Sequence, residues 1–444
     1  MALDFATFKT LCPSRYLNFT IPNPTNPSTS LLRVAVLDSP LIPAAGIPPR
    51  VAALLVPAGR ESDWIFSTEP GHLQLLLSSP SVSRLILVGN NISAGDGDPP
   101  ISYSLKPVNT QYVDSLVNAL QPLFNGISLK SSVKDRDFSD VPVLEYEDNV
   151  VSGLVLEKCE GEFVGEMLVE DVEIERREFR RRLRFKSMPN LVQTEVRIVP
   201  NEEGVGFKVD HEVLVHSYLV PMVAAVSLVG EWIDSQIRGG CRPKALCLGV
   251  GGGALVDFLA RRLDFEVVGV EGDQEVVRVA REYFGMGECR VRIHIGDAME
   301  FLQSLAGGGR ASKDLVTSEA EAEAKFDVVM VDLDCCDLQA GACAPPLEFV
   351  RKNVLLSAKA VLSHSGILIV NVIPLNRSFF DSLINDFRNV FDEVYEIDVG
   401  NEENFVLIAK MASAVSSNGE CSSTFVNKVR ASISGRYLDS IRRI

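Results

Sequence analysis

Short runs of apolar residues alternate with amphipathic stretches over residues 244–410. Runs of consecutive apolar residues are typical of buried strands, whereas apolar residues spaced three and four apart indicate helices. The pattern predicts five buried strands, then a helix at 379–390 and two closing strands; the strands lie at 245–248, 266–270, 292–298, 326–331, 366–371, 393–397 and 404–409. We therefore expect an α/β domain in this part of the chain.

The rest of the chain has other patterns. Strand-like and helix-like stretches alternate over 50–125, and short alternating runs between 141 and 199 predict antiparallel hairpins. An apolar stretch at 209–236 predicts a helix, and a Ser, Asn and Gly-rich segment at 413–424 predicts a linker before a basic terminal helix that ends at residue 444. Residues 305–325 are expected to be a surface insertion.

These patterns divide the chain into four expected regions. They are a small α/β N-terminal domain, a β-hairpin region, the α/β domain with the closing hairpin, and a linker with a terminal helix, at residues 1–140, 141–205, 206–410 and 411–444. A chain of 444 residues is long enough for more than one buried core.

Charge and composition narrow the classes of function. The net charge of −16 repels phosphate backbones and attracts cationic partners, so we expect a basic protein partner and no nucleic acid. No apolar run is long enough to span a membrane, and the first residues lack a signal peptide, so a cytoplasmic location is expected. The nine cysteines include no C-x-x-C pair, and no metal site is expected. Composition leaves the oligomeric state open.

The turn at residues 249–254 carries the first chemical signal. Gly249, Gly251 and Gly253 follow a buried strand and precede a helix, where glycines let a ligand approach the helix N-terminus. Glu271 ends the next strand about 20 residues later, where a carboxylate can accept both hydroxyls of a ribose. These features alone fit a dinucleotide as well as S-adenosylmethionine.

Polar residues at the ends of later strands favour S-adenosylmethionine over a dinucleotide. Asp297, with Ala298, ends the third strand and suits an adenine amine, and Asp332 ends the fourth. A hairpin after strand five is typical of a class I methyltransferase sheet of seven strands, a Rossmann-like fold. We therefore expect Gly249, Gly251 and Gly253 to hold the methionine moiety and Glu271 the ribose. Asp332 would face the cofactor methyl group and the acceptor amine, with Asn371 across the pocket.

Several segments carry a resemblance to known proteins. Residues 249–285 resemble the spermidine synthase-like branch of class I methyltransferases, and residues 50–410 more closely resemble the C-terminal half of the elongation factor 1-alpha lysine and N-terminal methyltransferase family. Segments outside the glycine turn support this, including 56–66, 179–183 with 191–195, and 304–309. The resemblance implies methylation of the α-amine of elongation factor 1-alpha. The lysine-methylating N-terminal domain of that family is expected to have no counterpart here.

Three functions remain open from the sequence. The leading hypothesis is an S-adenosylmethionine-dependent protein N-methyltransferase that acts on the α-amine of a basic protein such as elongation factor 1-alpha. The alternatives are a spermidine synthase-like aminopropyltransferase and a non-catalytic scaffold that binds the cofactor. True aminopropyltransferases carry an Asp-Ser plus Asp-Pro pattern after strand four, whereas this chain has Asp332-Leu333-Asp334-Cys335-Cys336.

Overall fold

The computed structural model describes most of the chain. The described residues are 5–28, 30–41, 48–79, 81–91, 99–105, 109–129, 140–201, 204, 206–307, 325–334, 344–374, 376–401, 404–411 and 423–444. Most of the expected insertion at 305–325 and of the expected linker at 413–424 lies outside them. Within the described ranges, no helix combines the length and the apolar character needed to cross a membrane.

The chain divides by its contacts into two compact units. The first comprises residues 1–158, 170–179 and 184–192, and the second comprises residues 159–169, 180–183 and 193–444. The residues expected to form a separate hairpin region at 141–205 are thus distributed over both units.

The first unit is built on a five-stranded sheet with helices on both faces. Its strands are β1 (Tyr16–Pro22), β2 (Leu31–Asp38), β3 (Arg50–Leu55), β4 (Val82–Asn90) and β6 (Val143–Leu144), in the order β1-β2-β4-β3-β6. Its helices are α1 (Trp64–Ser67), α2 (Glu69–Leu77) and α3 (Thr110–Gly126). Alternate residues of β2 belong to different cores, because successive strand side chains point to opposite faces. Val34 and Val36 pack with α3, whereas Ala35 and Leu37 pack with α1 and α2.

The expected hairpins are present as a second sheet. Its strands are β5 (Ser102–Ser104), β7 (Val150–Gly161), β8 (Gly165–Ile174), β9 (Glu178–Phe185), β10 (Val192–Pro200) and β11 (Phe207–Val209), in the order β11-β10-β9-β8-β7-β5. Strands consecutive in the chain are neighbours from β7 to β11, which is the order of a meander.

An eight-stranded sheet forms the centre of the second unit. Its strands are β12 (Lys244–Leu248), β13 (Glu266–Glu271), β14 (Val291–Ile295), β15 (Phe326–Val331), β16 (Leu362–Val372), β17 (Glu393–Asp398), β18 (Phe405–Lys410) and β19 (Arg442–Arg443), in the order β14-β13-β12-β15-β16-β18-β17-β19. Strands β12 to β16 are mutually parallel, and β18 runs antiparallel to β16 and β17. Counted from β12, the first seven strands have the order 3-2-1-4-5-7-6, which confirms the expected class I methyltransferase fold.

Helices cover both faces of this sheet. They are α4 (Leu219–Ala225), α5 (Gly230–Arg238), α6 (Ala254–Arg262), α7 (Gln274–Tyr283), α8 (Ala298–Gly307), α9 (Lys352–Val361), α10 (Arg377–Arg388) and α11 (Thr424–Ser432). One apolar core contains α4 to α7 and α11, and the other contains α8 to α10. Strand β16 contributes Ile367 and Ile369 to the first core and Leu368 and Val370 to the second.

Three expectations need correction. The sheet has an eighth strand, because Arg442–Arg443 pair antiparallel with β17 instead of ending a terminal helix; that helix, α11, ends at Ser432. The apolar stretch at 209–236 is not one helix, since a 3₁₀ turn at Val226–Val229 separates α4 from α5. The third strand ends at Ile295, and Ala298 is the first residue of α8.

Candidate functional site

The glycine turn joins β12 to α6. Gly249, Gly251 and Gly253 have φ values of 88°, 51° and 85°, a region that glycine adopts without a steric penalty. A Cβ atom on Gly249 would collide with the carbonyl oxygen of Asp332, so the missing side chain allows two strand ends to approach each other. Helix α6 then begins at Ala254 with Gly253 as its N-cap and without a side-chain cap. The turn therefore has the backbone that its glycines predict.

Glu271 contacts this turn from the end of the neighbouring strand. Its Oε2 accepts hydrogen bonds from the backbone N–H groups of Val250 and Gly251, both at 3.1 Å, and its Oε1 accepts one from Asp273 at 3.3 Å. Burial raises the pKa of the Glu271 carboxyl, and the backbone hydrogen bonds oppose that rise. The carboxylate expected at the end of the second strand thus lies directly beside the glycine turn.

Thr194 is a second contact of the turn, and the sequence pattern did not predict it. The Gly252 N–H donates to Thr194 Oγ1 at 2.7 Å, and Thr194 is only 5% exposed within β10. A Cβ atom added to Gly251 would lie 2.9 Å from Thr194 Oγ1, and one added to Gly252 would lie 2.6 Å from Thr194 Cγ2. Because the two partners are 58 residues apart in the chain, no local sequence signal could have revealed the contact.

Asp273 is a second buried carboxylate near the turn, and sequence reasoning missed it. Its Oδ2 accepts from the N–H groups of Phe163 and Val164, at 2.8 and 3.2 Å, in the short turn between β7 and β8. Its Oδ1 accepts from Glu275 and caps α7. Asp273 is 1% exposed, and three backbone donors compensate for the loss of water around its carboxylate. Its role in the fold is to fasten the β7–β8 turn beside the end of β13.

Asp332 follows β15 directly and faces two hydrogen-bond donors. The Tyr218 hydroxyl donates to its Oδ2 at 3.3 Å, and Asn371 Nδ2 donates to its Oδ1 at 3.1 Å. Tyr218 immediately precedes α4, whereas Asn371 lies in β16, so two separate elements orient one carboxyl group. The main chain is also fixed, because the Asp332 N–H donates to the carbonyl of Leu248 at 2.9 Å. Tyr218 has no charge and no glycine neighbours to mark it, and sequence reasoning missed it.

Two carboxyl groups at this strand end have raised pKa values. Burial is the main cause that raises the pKa of Asp332 to about 7, and the Asp334 carboxylate adds to it. The hydrogen bonds from Asn371 and Tyr218 oppose this rise. Burial raises the pKa of Asp334 to about 6. Both residues keep partial contact with solvent. The segment can therefore gain or lose a proton near neutral pH.

Asp297 and Ala298 occupy the start of α8. Asp297 is exposed, and its Oδ1 accepts from the Glu300 N–H at 2.8 Å, which is the geometry of a helix N-cap. The preceding Gly296 donates to the carbonyl of Glu271 at 2.9 Å, so this turn lies beside the end of β13. One oxygen of Asp297 is thus occupied by its own helix.

The predicted residues therefore share one edge of the parallel sheet. The carboxyl ends of β12, β13, β15 and β16 bring together the glycine turn, Glu271, Asp332 and Asn371, and β14 leads to Asp297. In open α/β sheets, ligands bind in the crevice at the carboxyl ends of the strands. Cys335 and Cys336, which follow this segment, lie outside the described residues.

Sequence comparisons find relatives named as methyltransferases and, over 38% of this chain, the polyamine aminopropyltransferase of Vibrio vulnificus, which is 24% identical over 173 residues. No family model matches the sequence. The chain is 26% identical over 384 residues to the eEF1A lysine and N-terminal methyltransferase of Xenopus laevis, a match that covers 81% of this chain and 50% of that protein. The Homo sapiens protein of the same name is 24% identical over 402 residues, covering 85% of this chain and 53% of that protein. The chain thus spans about half the length of the curated relatives it matches.

Solved structures include a similar chain. The crystal structure of human Methyltransferase-like protein 13 in complex with SAH is 24% identical in sequence, with a TM-score of 0.40, and the match covers 50% of this chain and 93% of that chain.

Proposed function

We propose that this protein is an S-adenosylmethionine-dependent protein N-methyltransferase whose acceptor is the α-amine of a basic protein. The observation that carries the proposal is the position of Asp332, which lies against the glycine turn at the carboxyl edge of the sheet and is oriented by Tyr218 and Asn371. A carboxyl group with a pKa of about 7 at this place is suited to accept a proton from an amine. The class of the two relatives supports the same reading.

The residues at this edge fit the proposed cofactor. Glu271 offers a carboxylate beside the turn, which suits the two adjacent hydroxyls of a ribose. A Cβ atom on Gly272, the next residue, would meet no atom within 4 Å, so the space beside the main chain there is open. In the proposal, Gly249, Gly251 and Gly253 hold the methionine moiety, and Asp297 with Ala298 contacts the adenine. The cofactor supplies an activated methyl group on a sulfonium.

The raised pKa of Asp332 decides how costly proton removal is. An α-amine has a pKa of roughly 7.7 to 8.0, so transfer of its proton to a carboxylate of pKa about 7 is uphill by roughly one unit, or about 1.4 kcal/mol. An ordinary aspartate with a pKa near 3.9 would make the same step uphill by roughly four units, or about 5 kcal/mol. Asp332 therefore removes most of that cost, and Tyr218 and Asn371 fix the direction in which its carboxylate faces.

The identity of the acceptor is part of the proposal. Both relatives are named for eEF1A, and the net charge of −16 favours a basic partner. We assign the matched portion to the C-terminal half of those relatives and place the activity in the cytoplasm with that substrate. Two carboxyl groups with raised pKa values, those of Asp332 and Asp334, would also suit a small polyamine. An aminopropyltransferase is therefore the second candidate.

Methyl transfer to defined acceptors tests the proposal. The protein is incubated with cofactor labelled in the methyl group and with a basic peptide that starts with a free α-amine. The control is the same peptide acetylated at its N-terminus. Label on the free peptide alone supports the proposal. Transfer of an aminopropyl group to putrescine from the decarboxylated cofactor, without peptide labelling, would show the second candidate to be right. Tight cofactor binding without transfer to either acceptor would point to a scaffold.

A further inference from the structure

Three asparagines form a chain of hydrogen bonds that ends on Asp332. Asn401 Nδ2 donates to Asn404 Oδ1 at 2.8 Å, Asn404 Nδ2 donates to Asn371 Oδ1 at 2.9 Å, and Asn371 Nδ2 donates to Asp332 Oδ1 at 3.1 Å. Each carboxamide thus accepts a hydrogen bond at its oxygen and donates one from its nitrogen. The last of them, Asn371, donates to the Asp332 carboxyl group. Asn371 and Asn404 are 1% and 6% exposed, so water does not readily replace these bonds.

The direction of these hydrogen bonds determines whether Asn371 presents its nitrogen or its oxygen to Asp332. A carboxamide has a donor and an acceptor of nearly the same size, and rotation by half a turn exchanges them. Asn371 would then turn its oxygen toward the Asp332 carboxylate, which repels it. The donor from Asn404 prevents this, because it occupies the oxygen of Asn371 on the side away from Asp332.

Asn404 reaches Asp332 only through another residue among the contacts described above. Asn404 is the residue just before β18, and its backbone N–H donates to Asn401 Oδ1 at 2.9 Å. Among the described residues, the Asn404 side chain hydrogen-bonds to Asn371 and Asn401, so it acts on the Asp332 carboxyl group through Asn371.

We propose that Asn404 is a positioning residue that fixes the Asn371 carboxamide as a donor to Asp332 and so keeps Asp332 able to accept a proton from the acceptor amine. The inference rests on the proposed function for its kinetic consequence. The other groups that face Asp332 are Asp334 in its own segment, Tyr218 before α4 and the Cys247 thiol in β12. Replacement of Asn404 leaves all three in place.

The test measures the protonation of Asp332 in two ways. The first is the pH profile of kcat/KM for methyl transfer to the peptide with a free α-amine. The second is ¹³C NMR of protein labelled at aspartate carboxyl carbons, in which the Asp332 signal is identified by its absence in Asp332→Asn. Asn404→Leu should move the acid limb of the profile and the NMR titration upward by roughly one pH unit, since one hydrogen bond to a carboxylate is lost. Asn404→Asp, which keeps the size of the side chain, should move both in the same direction.

A double variant separates positioning from general loss of structure. If Asn404 acts through Asn371, then Asn371→Leu with Asn404→Leu should shift the titration no further than Asn371→Leu alone. Asn385→Leu is the matched control, because Asn385 is exposed on α10 and should leave the titration unchanged. Additive shifts, or an unshifted Asp332 signal in both Asn404 variants, would overturn the inference. A wild-type protein that transfers no methyl group at any pH contradicts the proposed function, and the NMR titration then decides the inference alone.

Discussion

Replacement of Asp332 by asparagine should stabilise the protein while it abolishes methyl transfer. The side chain keeps its shape, and the new amide can still accept from Asn371 and contact the Tyr218 hydroxyl. What disappears is a buried negative charge. Because the folded-state pKa of Asp332, about 7, lies above the ordinary value of 3.8, the folded protein favours the protonated form. The contribution of Asp332 to the free energy of unfolding therefore falls as pH rises between these two values, and it does not recover above pH 7.

The size of the effect follows from the pKa shift. Between pH 5.5 and pH 8 the wild-type protein loses about 2 kcal/mol of free energy of unfolding from this group, at up to about 1.4 kcal/mol per pH unit and mostly below pH 7. The partial solvent contact of Asp332 makes this an upper value. Asp332→Asn removes the loss, so its gain in free energy of unfolding should be about 1 to 2 kcal/mol larger at pH 8 than at pH 5.5.

Urea unfolding at the two pH values measures this gain. Trp232 lies in α5 of the second unit and reports on its unfolding by fluorescence. Asp386→Asn, an exposed aspartate on α10, is the control that removes one charge elsewhere and should change the gain with pH very little. An equal gain at both pH values, or a destabilised variant at pH 8, would refute the idea that the negative charge of Asp332 is unfavourable in the folded protein.

Three further changes test other parts of the site. Glu271→Gln should weaken S-adenosylmethionine binding at least about 100-fold in calorimetry, because only one of its two polar atoms can still accept a hydrogen bond. The circular dichroism spectrum should stay that of a folded protein, since the amide oxygen can still accept from Val250 and Gly251. Undiminished affinity would remove Glu271 from the ribose site. Thr194→Val should lower the free energy of unfolding by about 1 to 3 kcal/mol, since the Gly252 N–H loses its acceptor. Thr194→Ser keeps the hydroxyl and should therefore lose much less. Gly249→Ala should cost about 3 kcal/mol or more, because φ is 88° and the new Cβ meets the Asp332 carbonyl. Gly272→Ala, with free space around it, should leave the fold intact, and equal losses in the two glycine variants would contradict the geometry.

The residues that could be predicted from the sequence are those with a local signature. The glycine turn and Glu271 follow from strand ends and from the need for positive φ, and Asp332 follows from an acid placed directly after an apolar run. Thr194 could not be predicted in this way. It lies on a strand that precedes the turn by 58 residues, and only the folded chain brings them together.

The errors have different causes. The apolar stretch at 209–236 contains two local breaks, since Pro221 lies in the first turn of α4 and Gly230 begins α5 directly after the 3₁₀ turn. Arg442 and Arg443 look helical and solvated by composition, but they are held by backbone pairing to β17 and by ion pairs with Glu396 and Glu393. Tertiary contacts override such weak local preferences.

The short strand β19 covers part of the edge of the large sheet. It pairs with Tyr395 and Glu396 of β17, and the Ile444 N–H donates to the carbonyl of Val394 at 3.0 Å. An uncovered strand of this kind offers unpaired N–H and C=O groups to any other chain that can add to it. Loss of residues 442–444 would therefore expose the backbone groups of β17 that β19 now pairs, and we expect it to make the protein more prone to aggregation.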